Sequence, residues 1–169
     1  LDVAEKESLT GQIRFFLAYS YIRLAALYGD VPLIEKVLNE EESKNQTRTP
    51  KTEVIAFAHN QLDLAIKELE GKTLGKGRVT SGACRALKAR AYLWENDFSN
   101  LLIVTSDLIG KYSLNIAGET PYADLFNGNA EDADEIILAR EHAHTTGSIT
   151  TGNRLNQAFF LKEMSGGDA

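Results

Sequence analysis

Leu9-Thr10-Gly11-Gln12-Ile13-Arg14-Phe15-Phe16-Leu17-Ala18-Tyr19-Ser20-Tyr21-Ile22-Arg23-Leu24-Ala25-Ala26-Leu27 carries two apolar stripes at helical spacing. Leu9, Ile13, Phe16, Leu17, Leu24 and Leu27 form one, and Phe15, Tyr19, Ile22 and Ala26 form the other. A helix with apolar residues on two faces is expected to be covered from more than one side, as the inner helix of a stack is. Gly29, with Pro32 shortly after, ends it. Its most apolar part, Ile13 to Tyr28, is shorter than a bilayer-spanning helix and contains Arg14, Ser20 and Arg23, so it does not read as a membrane span.

Three more helices are legible downstream. The second has Thr49 as its expected N-cap and Pro50 at the first helical position, with Ile55, Ala58, Leu62, Ala65, Ile66 and Leu69 on one face and Gly71 closing it. The third is predicted from Thr80 to about Glu95, with Ala83, Ala86, Leu87, Ala91 and Trp94 facing inward and small residues allowing close helix approach. The fourth begins at Asp97, carries Leu101, Leu102, Leu108 and Ile109, and stops at Gly110. Only Asn96-Asp97 separates the third and fourth, which must fold back as an antiparallel pair. The first and second are joined by Asp30–Thr49, a 20-residue connection whose length points to a functional loop or an elaboration.

After Gly110 the periodicity fades. Residues 115–135 read as loop, Ile136-Ile137-Leu138 as a strand or short helix, 145–156 as polar, and Phe159-Phe160-Leu161 as a last core-like patch. The expected fold class is all-α: tetratricopeptide-like antiparallel helix pairs, an α-α superhelix, with long loops and a mostly irregular C-terminal tail. The expected organisation is a helical region, 1–114, and a loop-rich segment, 115–169, that packs against parts of a longer parent protein. The opening Leu1-Asp2-Val3, with Met164 the only methionine, adds to the expectation of a piece of such a parent.

The 169 residues are enough for one sizeable domain, and 43% apolar with 25% charged residues is globular and not disordered in composition. Net charge is −6, carried as −2 over residues 1–48, +2 over 49–113 and −6 over 114–169. An acidic chain without a basic stripe does not suit nucleic acid, whose phosphates demand clustered Lys and Arg. The single cysteine, Cys84, excludes an internal disulfide and a CxxC pair, and among Ala83, Ala86 and Leu87 it reads as a small buried thiol.

The repeat pattern narrows the architecture. With Asn96-Asp97-Phe98 at the turn of a tetratricopeptide unit, Ala89 and Tyr92 fall where a small and an aromatic residue belong, whereas Leu101 and Ser113 depart from the pattern. The first helix pair fits the same unit if its turn has been expanded by the long connection. Aligning Tyr28-Gly29-Asp30 on Glu95-Asn96-Asp97 gives an offset of 67 residues, close to two repeat lengths.

Six blocks in order carry a sharper likeness. Gln12 to Leu24 with Leu27-Tyr28-Gly29-Asp30-Val31-Pro32-Leu33 comes first, followed by Gly77-Arg78-Val79-Thr80-Ser81-Gly82-Ala83 with Leu87-Lys88-Ala89-Arg90-Ala91-Tyr92-Leu93. Asp97-Phe98 and Lys111-Tyr112-Ser113-Leu114 come next, then Tyr122-Ala123-Asp124-Leu125-Phe126 and Asp134-Glu135-Ile136-Ile137. In these blocks the chain resembles the middle of the SusD/RagB family, surface lipoproteins of the Bacteroidetes outer membrane. The resemblance implies a tetratricopeptide-like scaffold whose loops bind glycans. It also implies a TonB-dependent outer-membrane transporter as partner, and a signal peptide with a lipid-anchoring cysteine upstream of Leu1. No cofactor and no catalysis are implied, and the glycan is not specified.

Residue chemistry adds little beyond this. His142-Ala143-His144 with Glu141 offers metal donors but no closing ligand, and reads as solvated loop. The run Glu131-Asp132-Ala133-Asp134-Glu135 lacks the ligand alternation and glycine of a calcium loop. Gly75-Lys76-Gly77 reads as a turn and has no Walker spacing. Cys84 is mid-helix, Ser81 caps its helix, His59 has no placed partner and no GxSxG elbow occurs, so no nucleophile is supported. Sugar recognition needs exposed aromatics and polar side chains. Trp94, Tyr19, Tyr21 and Tyr92 lie at core spacing, and Tyr112, Tyr122 and Phe126 match positions that look structural. Asn153, Arg154, Asn156 and Gln157 are therefore the candidate ligand-binding cluster. A tetratricopeptide adaptor that binds a peptide along a concave helical surface is the alternative function.

Overall fold

The computed structural model describes residues 2–75, 77–127, 130 and 132–139, and among them the only regular elements are helices. α1 (Val3–Tyr28) begins where the Asp2 carboxylate accepts the Glu5 N–H at 2.7 Å. It ends at Gly29, whose φ of 71° is a conformation that glycine adopts without a Cβ penalty. α3 (Lys51–Leu69) runs antiparallel to it. Phe15, Ala18, Ile22 and Ala25 of α1 and Val54, Ala58, Leu62 and Ala65 of α3 belong to one buried core. The approach is closest at Gly11, where a Cβ would lie 2.7 Å from Leu69 Cγ. At the other end the Tyr21 and Phe57 rings meet edge to face at 5.7 Å.

The long connection between α1 and α3 is tied at its base. Val31 and Thr49 exchange backbone hydrogen bonds of 3.2 and 3.0 Å in an isolated antiparallel bridge. Within it lies α2 (Glu40–Lys44), closed by a capping box between Asn39 and Glu42. The expected Thr49 cap is corrected here. Thr49 spends its backbone in the bridge, Pro50 occupies the N-cap without a side-chain bond, and Asp30 accepts the Lys51 N–H at 2.8 Å from 21 residues upstream. A capping carboxylate carried on the far side of the loop closes the hairpin and satisfies an orphan helix donor together.

α4 (Ser81–Glu95) packs antiparallel on α3 through Ala83, Cys84, Leu87 and Ala91. Thr80, not Ser81, caps it, accepting the Ala83 N–H at 3.2 Å. Arg85 reaches Glu70 at 2.6 Å and the Lys88 ammonium reaches Asp63, so ion pairs flank the α3–α4 seam. The turn to α5 (Phe98–Ser106) uses Asn96 in the left-handed region at φ 58° and Asp97 as N-cap, bonded to the Asn100 N–H at 3.1 Å. Two helical hairpins, α1–α3 with an expanded turn and α4–α5 with a tight one, thus stack as the repeat pattern predicts.

Three expectations change. α6 (Pro121–Asn127) stands inside the segment read as loop. Ile136-Ile137-Leu138 is neither strand nor helix. It is a bent segment held because Asp134 accepts from the Ser113 N–H and hydroxyl and Glu135 from the Asn115 N–H, while Ile137 rests against the core. Finally, α1 is buried along one side only among the described residues. Phe15 is 6% exposed, but Ile13, Phe16 and Leu27 are 67%, 56% and 69% exposed, because α3 covers one face and α4 meets only the flank.

Candidate functional site

α1 and α4 both lie against α3 and run parallel to each other, and their side chains diverge above the contact. The seam opens as a groove of about 480 Å³ lined by Tyr19, Arg23 and Leu27 from α1 and by Arg90 and Trp94 from α4. Its floor is apolar, made of Ile22 and Leu87, which are 1% and 8% exposed. Helical spacing builds each wall. Phe15, Tyr19 and Arg23 follow at i, i+4 and i+8, so the buried Phe15 ring stacks on Tyr19 at 6.4 Å. The Arg23 guanidinium sits 5.5 Å from the Tyr19 ring centre and donates to its hydroxyl at 2.9 Å. Tyr19 is thereby held between a core ring and a cation.

Trp94 was expected in the core and is 51% exposed. Position 94 lies past the end of the buried Leu87 and Ala91 stripe, beside a part of α1 that no other described helix covers. Tyr19 is likewise 37% exposed. Two aromatic rings at the rim of an apolar floor, with guanidinium donors beside them, can stack on the C–H face of a sugar and hydrogen-bond its hydroxyls.

The other chemistry-bearing residues among those described pack within or against the helical scaffold. His59 has a partner that the sequence did not reveal. Its Nε2 lies 2.8 Å from Glu95 Oε1, and its ring stacks on Tyr92 at 4.1 Å. The other ring nitrogen, Nδ1, is buried without a hydrogen bond, so no nucleophile engages the imidazole as a hydrolytic triad requires. Burial holds the Tyr92 phenol above its ordinary pKa and pushes the Cys84 thiol up to about 12, which leaves that thiol protonated and unreactive. No cluster of three or more metal-ligating side chains occurs among the described residues. Nor, among them, is any helix long and apolar enough to cross a membrane. Tyr122 and Phe126 form an exposed tilted pair on α6, 5.3 Å apart.

The sequence-derived ligand cluster Asn153, Arg154, Asn156 and Gln157 lies outside the described residues, as do His142, His144, Glu141 and Glu131. The groove residues escaped sequence reading because Tyr19 and Trp94 share helical spacing with core positions. A signal was present in Tyr19/Arg23 and Arg90/Trp94, both i, i+4 aromatic–arginine pairs, but only folding brings the two pairs together.

Comparison with known proteins places the scaffold. No family model matches the chain. A SusD-like protein of Bacteroides ovatus is 28% identical over 177 residues, spanning 97% of this chain and 32% of its own length. The solved structure of a SusD-like protein from Bacteroides fragilis aligns with a TM-score of 0.76 at 26% identity, over 86% of this chain and 29% of that one. The chain is similar in sequence and fold to SusD-like proteins. A second Bacteroides fragilis structure, a SusD-like carbohydrate-binding protein, shares the fold with a TM-score of 0.75 at 23% identity, over 85% of this chain and 28% of that one. The chain therefore spans a third or less of the length of these relatives, and over this portion its fold is all-α with tetratricopeptide-like pairs.

Proposed function

We propose that this chain belongs to the SusD/RagB family and is the helical part of a non-catalytic cell-surface protein that binds an oligosaccharide or polysaccharide nutrient. In this reading the protein is held at the outer membrane by a lipid anchor and delivers its glycan to a TonB-dependent transporter. The observation that carries the binding function is the groove itself: half-exposed Tyr19 and Trp94 over the Ile22–Leu87 floor, with Arg23 and Arg90 as hydrogen-bond donors. A preformed site on packed helices loses little entropy on binding, which suits a weakly interacting sugar. The carbohydrate-binding relative of the same fold supports the ligand class.

Affinity electrophoresis of the intact protein against a polysaccharide panel, with a peptide array beside it, tests the reading. Retardation by at least one glycan that is lost in Trp94→Ala is expected. The adaptor alternative draws on the exposed Ile13, Phe16 and Leu27 stripe, and peptide binding with no retardation by any glycan would establish it instead. Co-purification with an outer-membrane transporter, and labelling of the protein on intact cells, test delivery and location.

A further inference from the structure

Several cations of this chain are matched by carboxylates along the helix seams. Arg14 pairs with Glu68 at 3.1 Å, Arg85 with Glu70 at 2.6 Å, Lys72 with Glu7 at 3.2 Å, and Lys88 with Asp63. The groove differs. Arg23 and Arg90 both line it, no acidic side chain does, and neither arginine has a carboxylate partner among the described residues. Arg23 uses one donor on the Tyr19 hydroxyl and keeps the rest of its planar fork. Two guanidinium groups beside an apolar floor therefore face the space that the two aromatic rings border, in a chain whose net charge is −6.

We infer that the groove selects an anionic saccharide, one whose carboxylate or sulfate ester is taken by Arg23 and Arg90 while its ring stacks on Trp94 or Tyr19. This rests on the glycan-binding reading above and deepens it by naming the substrate class. Guanidinium forks match carboxylate and sulfate oxygens geometrically and bond them more strongly than they bond neutral hydroxyls. Charge complementarity also argues against a neutral or basic occupant. A basic occupant would meet two like charges, and a neutral one would leave both guanidinium groups without an ionic partner.

The test compares the intact protein's affinity for a uronate polymer, its methyl-esterified neutral form, a sulfated polysaccharide and a neutral β-glucan. The first and third arms distinguish carboxylate from sulfate as the source of charge. Tighter binding of either anionic polymer than of both neutral ones is expected. Arg23→Gln with Arg90→Gln should lower that affinity roughly 10- to 100-fold, the value of charge-assisted hydrogen bonds. Circular dichroism confirms that the variant keeps its helices. Arg78→Gln, an exposed arginine outside the groove, should leave affinity unchanged, and an equal loss there would mean diffuse polyanion attraction and overturn the inference. Equal binding of neutral and anionic glycans, unaffected by the arginine changes, overturns the charge selection and leaves the glycan-binding function standing. Binding of none of the four polymers, or of any glycan in the wider panel, overturns both.

Discussion

The Tyr21 hydroxyl accepts the Ile34 N–H at 2.8 Å and donates to the Ile34 carbonyl at 3.0 Å, so one α1 side chain completes both backbone bonds of a residue in the long connection. With the Val31–Thr49 bridge and the Asp30 cap on α3, this fixes the base of a loop that α2 alone could not order. The expanded turn of the first hairpin is thus fastened to the helix it follows.

Tyr21→Phe keeps the ring against Phe57 and removes only the hydroxyl. It should cost about 1 kcal/mol of stability, the net value of a hydrogen bond in a protein. Limited proteolysis should show cleavage between residues 34 and 48 becoming faster while the helices stay intact.

Phe15 and Phe16 are sequence neighbours with opposite fates, 6% and 56% exposed. Phe15→Ala should cost roughly 3–5 kcal/mol, because it empties a packed site between α1 and α3. Phe16→Ser should change stability by no more than about 0.5 kcal/mol. Chemical denaturation of the two variants side by side checks the contrast, and equal losses would place α1 in a different rotation about its axis.

Cys84 is buried with its thiol pKa raised from 9.0 to about 12, chiefly by desolvation. The folded protein should not react with a thiol reagent at pH 8, and denaturant should release one reactive group. The unfolded thiol gives up its proton more readily than the folded one, so deprotonation favours unfolding. The associated stability is complete below pH 9.0 and is lost as pH rises towards 12. Denaturation midpoints measured across that window should fall, and less steeply in Cys84→Ala.

Asp97, the N-cap of α5, has its carboxyl held below the ordinary 3.8 by the Asn100 side chain and backbone N–H. A depressed carboxylate contributes stability above its unfolded value, and that contribution is lost as pH falls through the folded one. Asp97→Ala should lower Tm at neutral pH and leave it nearly unchanged at pH 2, a comparison that differential scanning calorimetry makes directly.

Most of the scaffold was legible in the sequence because helix periodicity and punctuation are local. Gly29, Gly71, Asn96-Asp97 and the Ile55–Leu69 stripe mark where chain direction changes and which face of α3 is inward. The 67-residue offset between the ends of α1 and α4 marks the repeat. Caps were less legible, since Asp30 reaches α3 from across the connection and no local pattern distinguishes that from a Thr49 cap.

The amino-acid order therefore determined the helices, their pairing as hairpins and the family likeness, all set by spacing along one chain. Tertiary structure alone decided which face of α1 is covered, and the buried set Phe15, Ala18, Ile22 and Ala25 matches neither apolar stripe read from the sequence. It also decided that His59 meets Glu95, and that Tyr19–Arg23 and Arg90–Trp94 face one groove. The physical reason is that burial and charge pairing belong to surfaces in contact. Two helices 67 residues apart share a surface only after α3 has packed against both.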